Sequence, residues 1–401
     1  MRVLVADELS TRHLDALRRL GLDVDYRPAL KADELPGAAR EASMLVVRST
    51  QVGRAVFQAA AQLSLVVRAG AGVNTIDVAA ASERGVYVAN CPGQNAIAVA
   101  ELAMGLVLAC DRQIPDCVAS LRQGQWEKKR FSAARGLYGR TMGVVGLGAI
   151  GAALASRARA FGMRVVATSP SLTAARAQAL GVERAEGLLD LARQSDVFSV
   201  HVPGGEKTRG LVSRAVLAAL PPGAIFVNTS RAEVVDQTAL LDEARSGRLR
   251  VAADVFADEP GAGEAPFESE LARLPGVYGT PHIGASTDQA QEAIGDEAVR
   301  IIEAFVTRGE VPSCVNVARR TPARFQLIVR HYDRVGVLAN VLSDLREAGI
   351  NAQEIENTVF EGAAAACCKI QVDSRPPDET LAKIRARCQE VIFADLVELV
   401  R

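Results

Sequence analysis

The first 90 residues alternate short, β-rich apolar runs with amphipathic stretches. Runs at residues 3–6, 45–48, 65–68 and 86–89 carry the Val, Leu and Ala content of buried strands, and segments such as 14–20 and 55–61 between them read as helix. Strands alternating with helices in this way predict a parallel, doubly wound sheet. Residues 95–110 then form a long apolar helical run, wide enough to lie buried between two such units. A polar segment, 112–140, follows and holds the only Trp, Trp126, beside Lys128, Lys129 and Arg130.

A second series of the same type starts at Thr141, with strands expected at 143–146, 164–167, 197–200, 224–228 and 251–254. Gly, Pro, Asn, Thr, Ser and Asp follow these strand ends, which suits ligand crevices at the carboxyl edge of a sheet. A helix is expected over 287–307 and a linker near 314–322. From Phe325 the rhythm changes to a strand at 325–330, a helix at 335–348 and two strands across a Glu361-Gly362 turn. A helix at 379–387 and a strand at 391–400 complete a βαββαβ order. The pattern predicts an α/β protein with two doubly wound parallel-sheet domains and a C-terminal ferredoxin-like domain.

Composition narrows the partners. The chain has 401 residues, 49 % hydrophobic and 23 % charged, with a formal net charge of −1. Such a length suits two or three domains. Near-neutral charge supplies no field for nucleic acid or an anionic membrane, so an anionic substrate must be met by a local group of Arg or Lys. No apolar stretch nears the roughly 18 residues of a membrane span, and the N-terminal run is too short for a signal peptide, so a cytoplasmic protein is expected. Seven cysteines without C-x-x-C spacing read as reduced thiols, and with four scattered histidines no metal site is expected.

Candidate chemistry begins at TMGVVGLGAIG. Gly146, Gly148 and Gly151 form G-x-G-x-x-G between a strand and an Ala-rich helix. The first glycine permits a tight turn, the second lets backbone approach a pyrophosphate, and the third allows close helix–strand contact. The helix start at Ala149 and Ile150 then offers free N–H groups to phosphate. A dinucleotide site usually has an acid at the end of the next strand, but Thr168-Ser169-Pro170 has none. Ser169 can bond a ribose hydroxyl without repelling a 2′-phosphate, and Arg176 is the nearest downstream cation. NAD is expected first, and NADP stays open.

Three groups sit near later strand ends: Arg231 in NTSRAEVVD, Glu259 in DVFADEP and His282 in TPHIGAST. Oxidation of an alcohol or reduction of a ketone needs an electrophilic clamp, a proton carrier and a group that fixes the carrier's tautomer. Arg supplies paired donors to a carboxylate, and a His beside a carboxylate suits acid–base work near neutral pH. Taken singly, each has a plainer role, as an ion pair, a surface acid or a turn histidine.

The set, in order, resembles the D-2-hydroxyacid dehydrogenase family. The matching stretches are Gly70-Ala71-Gly72-Val73-Asn74, NAIAVAE from Asn95, GLGAIG, His201-Val202-Pro203 with Thr208, NTSRAEVVD, DVFADEP and TPHIGAST. The resemblance implies His282 as general acid/base, Glu259 as its orienting partner and Arg231 as the clamp on substrate carboxylate and carbonyl. It implies cofactor contacts from Gly146, Gly148, Ala149, Ile150, Gly151, Ser169, His201, Val202, Pro203, Thr208, Thr229, Ser230, Asp254 and Gly284. For substrate it implies Arg48, Ser49, Gly72, Val73, Asn74, Asn95 and Arg231. It also implies a discontinuous substrate domain (1–96 and 284–316), an inserted dinucleotide domain (97–283) and a linker (317–323).

Length and tail point, within the family, to oxidation of 3-phospho-D-glycerate to 3-phosphohydroxypyruvate, the opening step of L-serine synthesis. A reductase of glyoxylate or hydroxypyruvate is the alternative, and a corepressor-like nucleotide sensor on the same fold is the alternative from another class. Residues 324–401 resemble an ACT regulatory domain, which implies an L-serine effector held by His331, Asp333, Gly336 and Asn351. A homodimer or homotetramer follows from that resemblance.

Overall fold

The computed structural model describes residues 1–260, 264–318, 320–387 and 389–399. The chain forms two compact units, Met1–Asn316 and Val317–Arg401.

The first unit holds two parallel sheets. Strands β1 (Arg2–Val5), β2 (Asp23–Tyr26), β3 (Met44–Val47), β4 (Leu65–Arg68) and β5 (Tyr87–Asn90) lie in the order β2-β1-β3-β4-β5. All four pairings are parallel. Both faces are covered, which is why β3 (MLVV) is buried at every position. The second sheet comprises β6 (Thr141–Val145), β7 (Arg164–Thr168), β8 (Glu183–Arg184), β9 (Val197–Val200), β10 (Ile225–Asn228), β11 (Arg250–Ala253) and β12 (Val277–Gly279). Its order is β12-β11-β10-β9-β6-β7-β8. The chain direction across this sheet reverses between β6 and β9, and a ligand crevice opens where the order switches.

The helix Ala96–Arg112 joins the two sheets. Its Ala100, Ala103, Met104 and Val107 pack with Met142, Val144, Ile225 and Ala252 of the second sheet. After β12 the chain returns to the first sheet through the helix Asp288–Arg308. The Thr287 hydroxyl caps this helix by accepting from Ala290 N–H at 3.2 Å, and it ends on left-handed Gly309. Its Ile294, Ala298, Ile301 and Ile302 share a core with Val3, Val5, Leu17, Val46 and Val67.

The three strands that the hydrophobic pattern missed, β2, β8 and β12, are all sheet edges. An edge strand pairs on one side only, and its sequence need not be a continuous apolar run: β2 reads DVDY, and both residues of β8 are exposed. The polar segment after the joining helix also holds a helix, Ile114–Arg122, and a short 3-10 turn, Arg130–Ala133.

The second unit has the order βαββαβ. Strands β13 (Phe325–Tyr332), β14 (Ala352–Val359), β15 (Ala365–Val372) and β16 (Val391–Glu398) form an antiparallel sheet in the order β14-β15-β13-β16. The helices Val337–Glu347 and Asp378–Arg385 bury Val341, Leu345, Leu381 and Ile384 against Leu327, Val329, Cys368 and Ile370. Cys91, Cys110, Cys117, Cys314, Cys367 and Cys368 are free thiols, and Cys388 lies outside the described residues.

Candidate functional site

The glycine turn after β6 has the geometry its spacing suggests. Gly146 takes a φ of 88°, and a Cβ there would run into the His201 carbonyl. Gly151 is equally constrained, since a Cβ would strike the Gly146 carbonyl and approach Val144 Cγ1 at 3.3 Å. Gly148 differs: it caps the helix Ala149–Ala160, and a Cβ would meet nothing within 4 Å. Open space therefore faces the free N–H groups of the Ala149–Ile150 turn, the arrangement that receives a pyrophosphate.

Among the described residues, five buried side-chain polar atoms lack a hydrogen-bond partner: Thr75 Oγ1, Asn95 Oδ1, Arg140 Nε, His201 Nδ1 and Thr229 Oγ1. His201 and Thr229 directly follow β9 and β10 at the same sheet edge as the glycine turn. Leaving such atoms unpaired costs roughly 1–3 kcal/mol each, so these two are expected to meet a polar ligand. The glycine cradle and these atoms together fit a dinucleotide. The Thr208 hydroxyl donates to the Pro203 carbonyl at 2.6 Å and closes the loop that follows Val202. Ser230 is held by Asn228, whose side-chain oxygen accepts from Ser230 N–H at 3.0 Å and from its hydroxyl at 2.8 Å. Ser169, just past β7, is half-buried, with its hydroxyl 3.4 Å from that of Ser171.

His282 and Glu259 meet beside this crevice. His282 Nδ1 and Glu259 Oε2 are 2.6 Å apart, and Glu259 Oε1 accepts from Phe256 N–H at 2.9 Å. Burial pushes the Glu259 carboxyl up. Hydrogen bonds from His282 and Phe256, with the charges of His282 and Arg231, outweigh it and hold the group below its ordinary 4.5. An ionised Glu259 accepting from Nδ1–H leaves His282 Nε2 as the nitrogen that exchanges a proton. His282 itself has a φ of 54°, a left-handed conformation that a non-glycine residue adopts at some cost.

What holds that loop is Asp254. Its buried carboxylate accepts from the Thr280 hydroxyl at 2.6 Å, from Ile283 N–H at 2.9 Å and from Gly284 N–H at 2.9 Å. Both oxygens are thus engaged by the segment that carries His282, and Asp254 acts as its anchor. A Cβ on Gly284 would come within 2.9 Å of Asp254 Oδ2, so the close approach needs glycine.

The residues expected to meet substrate lie at the carboxyl edge of the first sheet. Asp7 follows β1 and organises the loop after β3: its Oδ2 accepts from the N–H groups of Arg48, Ser49 and Thr50 at 2.6, 3.1 and 3.1 Å. Arg68, the last residue of β4, donates from Nε to the Arg48 carbonyl at 3.1 Å. Its guanidinium lies over Gly70, where a Cβ would collide with Nη1. Burial lowers the Arg68 pKa, and repulsion from Arg231 and Arg48 lowers it further. Arg48 and Arg231 thus lie near enough to Arg68 for their charges to act on it. Gly72 lies close by as well, because a Cβ there would lie 3.3 Å from Arg231 Nη2 and 3.2 Å from Asn74 Oδ1. Val73 sits between them in the loop, and Asn90 Nδ2 steadies it by donating to the Ala71 carbonyl at 2.6 Å.

Residues 104–284 match the model of the D-isomer specific 2-hydroxyacid dehydrogenase NAD-binding domain. The chain is 37 % identical to a D-3-phosphoglycerate dehydrogenase of Methanocaldococcus jannaschii, over 91 % of this chain and 68 % of that protein. It is 43 % identical to a hydroxypyruvate reductase of Thermotoga maritima, over 68 % of this chain and 88 % of the relative. The NAD+-bound 3-phosphoglycerate dehydrogenase of Entamoeba histolytica superposes with a TM-score of 0.65 at 25 % identity, covering 79 % of this chain and 99 % of that one. The chain belongs to the D-isomer specific 2-hydroxyacid dehydrogenase family.

As a 2-hydroxyacid dehydrogenase it is an oxidoreductase that uses NAD and a small-molecule substrate. Three residues that hold the candidate site's loops were not singled out in the sequence: Asp7, Arg68 and Asn228. Each ends or follows a strand, which is the available signal, but none sits in a glycine-rich or histidine-bearing motif. Residues proposed for an effector lie in the second unit and are not all brought together. His331 is buried, with Nδ1 2.7 Å from the Tyr332 carbonyl and Nε2 3.2 Å from Asn357 Oδ1. Asp333 N–H donates to the Ala364 carbonyl at 3.2 Å, and Gly336 (φ 90°) starts the next helix at that same end. Asn351 stands at the other end of β15, where its N–H faces Asp373 Oδ1 at 3.4 Å.

Proposed function

We propose that this dehydrogenase oxidises 3-phospho-D-glycerate to 3-phosphohydroxypyruvate with NAD, the reaction that opens L-serine synthesis. The observation that carries the reading is the His282–Glu259 pair at 2.6 Å, with Arg231 close enough for its charge to act on both Glu259 and Arg68. The substrate has a carboxylate at C1, a hydroxyl at C2 and a phosphate at C3. Arg231 and the backbone at Gly72–Asn74 take the carboxylate end. Arg48 and Arg68 face the phosphate, for which a pair of forked donors is suited. His282 Nε2 removes the C2 hydroxyl proton, and Glu259 stabilises the imidazolium that results. Bound nicotinamide supplies the acceptor for the C2 hydride.

The reading includes a substrate domain of residues 1–96 and 284–316 that closes on a dinucleotide domain of residues 97–283 and sheds water before reaction. Packing of the helix Asp288–Arg308 on the first sheet supports it. Residues 324–401 are read as an ACT-type regulatory domain for L-serine. The chain is read as a cytoplasmic homo-oligomer. Among the described residues no helix is long and apolar enough to cross a membrane. Ile114, Val118, Leu121, Trp126 and Tyr138 lie exposed on one chain segment, a surface that a second copy suits.

A panel of 3-phosphoglycerate, phosphohydroxypyruvate, hydroxypyruvate and glyoxylate tests the reading. Specificity (kcat/KM) at least about tenfold higher for the phosphorylated pair supports it. Equal or better turnover of glyoxylate or hydroxypyruvate assigns the chain to reduction of unphosphorylated 2-oxo acids instead.

A further inference from the structure

The guanidinium proposed to clamp the substrate carboxylate is carried on a stem that a separate loop confines. Arg231 Nη1 donates to the Ser230 carbonyl at 2.6 Å, and Asn228 Nδ2 donates to the Arg231 carbonyl at 3.0 Å. Neither bond restrains the aliphatic stem. What lies against it is the loop that follows β9. A Cβ on Gly204 would lie 3.0 Å from Arg231 Cγ and 3.5 Å from Arg231 Cβ, so the glycine backbone comes close beside the stem. The same Cβ would come within 2.7 Å of Glu233 Oε1.

Glu233 holds that loop. Its Oε1 accepts from Gly205 N–H at 2.8 Å, its Oε2 pairs with Arg209 Nη2 at 3.2 Å, and its carbonyl accepts from Gly210 N–H at 2.8 Å. All three acceptors of one residue thus engage residues 205–210. Glu233 also sits in the 3-10 turn Ala232–Val234, which Arg231 opens, so one turn carries both the arginine and the group that draws the loop against it. The Arg209 side chain is exposed, and an exposed ion pair adds little, whereas the charge-assisted bond from Gly205 N–H is the stronger tie. At the other end of the arginine, Nη2 lies 3.3 Å from where a Cβ on Gly72 would be. The stem thus leaves Gly204, and the guanidinium arrives at the backbone expected to meet the carboxylate. An arginine free among its rotamers loses that freedom on meeting an anion, and one already confined loses little.

We propose that Glu233 is a positioning residue for Arg231: by holding Gly204 and Gly205 against the arginine stem, it keeps the guanidinium aimed at the Gly72 loop. The group it prepares for is the carboxylate of a 2-oxo or 2-hydroxy acid. This role rests on Arg231 as the carboxylate clamp and is independent of any phosphate on the substrate.

Oxalate binding to the full chain saturated with NADH reports on the clamp without turnover, and calorimetry measures it. Glu233→Ala is expected to weaken oxalate by about three- to tenfold, the cost of ordering one freed side chain, while the NADH Kd changes by about twofold or less. The KM of the 2-oxo acid should rise in step, with kcat within about threefold. Glu233→Gln keeps an acceptor for Gly205 N–H and is expected to bring oxalate binding back to within about twofold. Gly204→Ala places a Cβ against the Arg231 stem with Glu233 intact and should weaken oxalate as well. The double variant should then lose no more than the worse single one, because both act through the same contact. An oxalate Kd in Glu233→Ala within about twofold of the unaltered protein overturns the proposal. So does equal loss of NADH and oxalate, because Glu233 would then only shape the cofactor crevice. Unchanged oxalate binding in Arg231→Gln overturns the clamp and this role together, whereas loss there without loss in Glu233→Ala overturns the role alone.

Discussion

His282 Nδ1 lies 2.6 Å from Glu259 Oε2, and that pair is the proposed chemical centre of the molecule. Removing the imidazole should cost the ~10²–10⁴ in kcat typical of a lost general base while NADH still binds. His282→Asn is the better variant than His282→Ala, because Asn tolerates the left-handed backbone at this residue. Glu259→Gln keeps a side-chain acceptor but removes the charge, and a kcat loss of at least about tenfold is expected. Steady-state rates with cofactor affinity measured separately check both, and unchanged turnover would remove His282 from its role.

Substituting Arg68 separates phosphate recognition from chemistry. A charge-assisted hydrogen bond is worth roughly 1.5–3 kcal/mol, so Arg68→Ala should lower kcat/KM for phosphohydroxypyruvate by about 10–100-fold. Hydroxypyruvate, which has no phosphate, should lose about threefold or less. Equal losses on the two substrates would show that Arg68 only supports the Arg48 loop, through its bond to the Arg48 carbonyl.

Asp254 provides a test of positioning. Asp254→Ala strips the Thr280 hydroxyl and the Ile283 and Gly284 N–H groups of their acceptor. With each buried unpaired group costing roughly 1–3 kcal/mol, a clear fall in Tm is expected together with a fall in kcat. Asp254→Asn, which retains one acceptor oxygen, should recover part of both. Calorimetric melting and kinetics on the two variants check it.

His201 sets a pH dependence of stability. Burial lowers its pKa to about 4 from 6.5, so the folded protein holds it neutral. Below pH 6.5 the unfolded chain takes up a proton that the folded chain refuses. This contribution to stability is therefore complete above pH 6.5, declines as pH falls, and is gone near pH 4. The shift corresponds to about 3 kcal/mol. Denaturant melts from pH 7.5 down to pH 4.5 should show the loss, and His201→Gln should flatten part of the slope.

Much of this was legible in the chain because glycine-rich turns and strand-end residues are local signals. The run GLGAIG announces its own turn, and His282 with Glu259 stand in recognisable company. What escaped depends on long-range assembly. Asp7 is one acid among many in the sequence and gains its meaning from the three N–H groups of residues 48–50. Arg68 ends β4 in LVVR while Arg48 follows β3, and only the parallel pairing of β3 with β4, which sets Arg68 opposite Val47, brings the Arg68 side chain to the Arg48 carbonyl. Asp254 sits in a cofactor-type motif, yet its bonds run to residues 280–284. Edge strands β2 and β8 carry little apolar signal because solvent takes one of their sides.

Asp333 and Asn351 flank opposite ends of β15, some 25 Å apart at ~3.3 Å per residue. No amino acid is long enough to touch both within one chain. On the proposal that an effector is held by both, it bridges copies and couples its binding to the association of chains. Effector strength would then depend on how much enzyme is present, and a dilute assay would understate it.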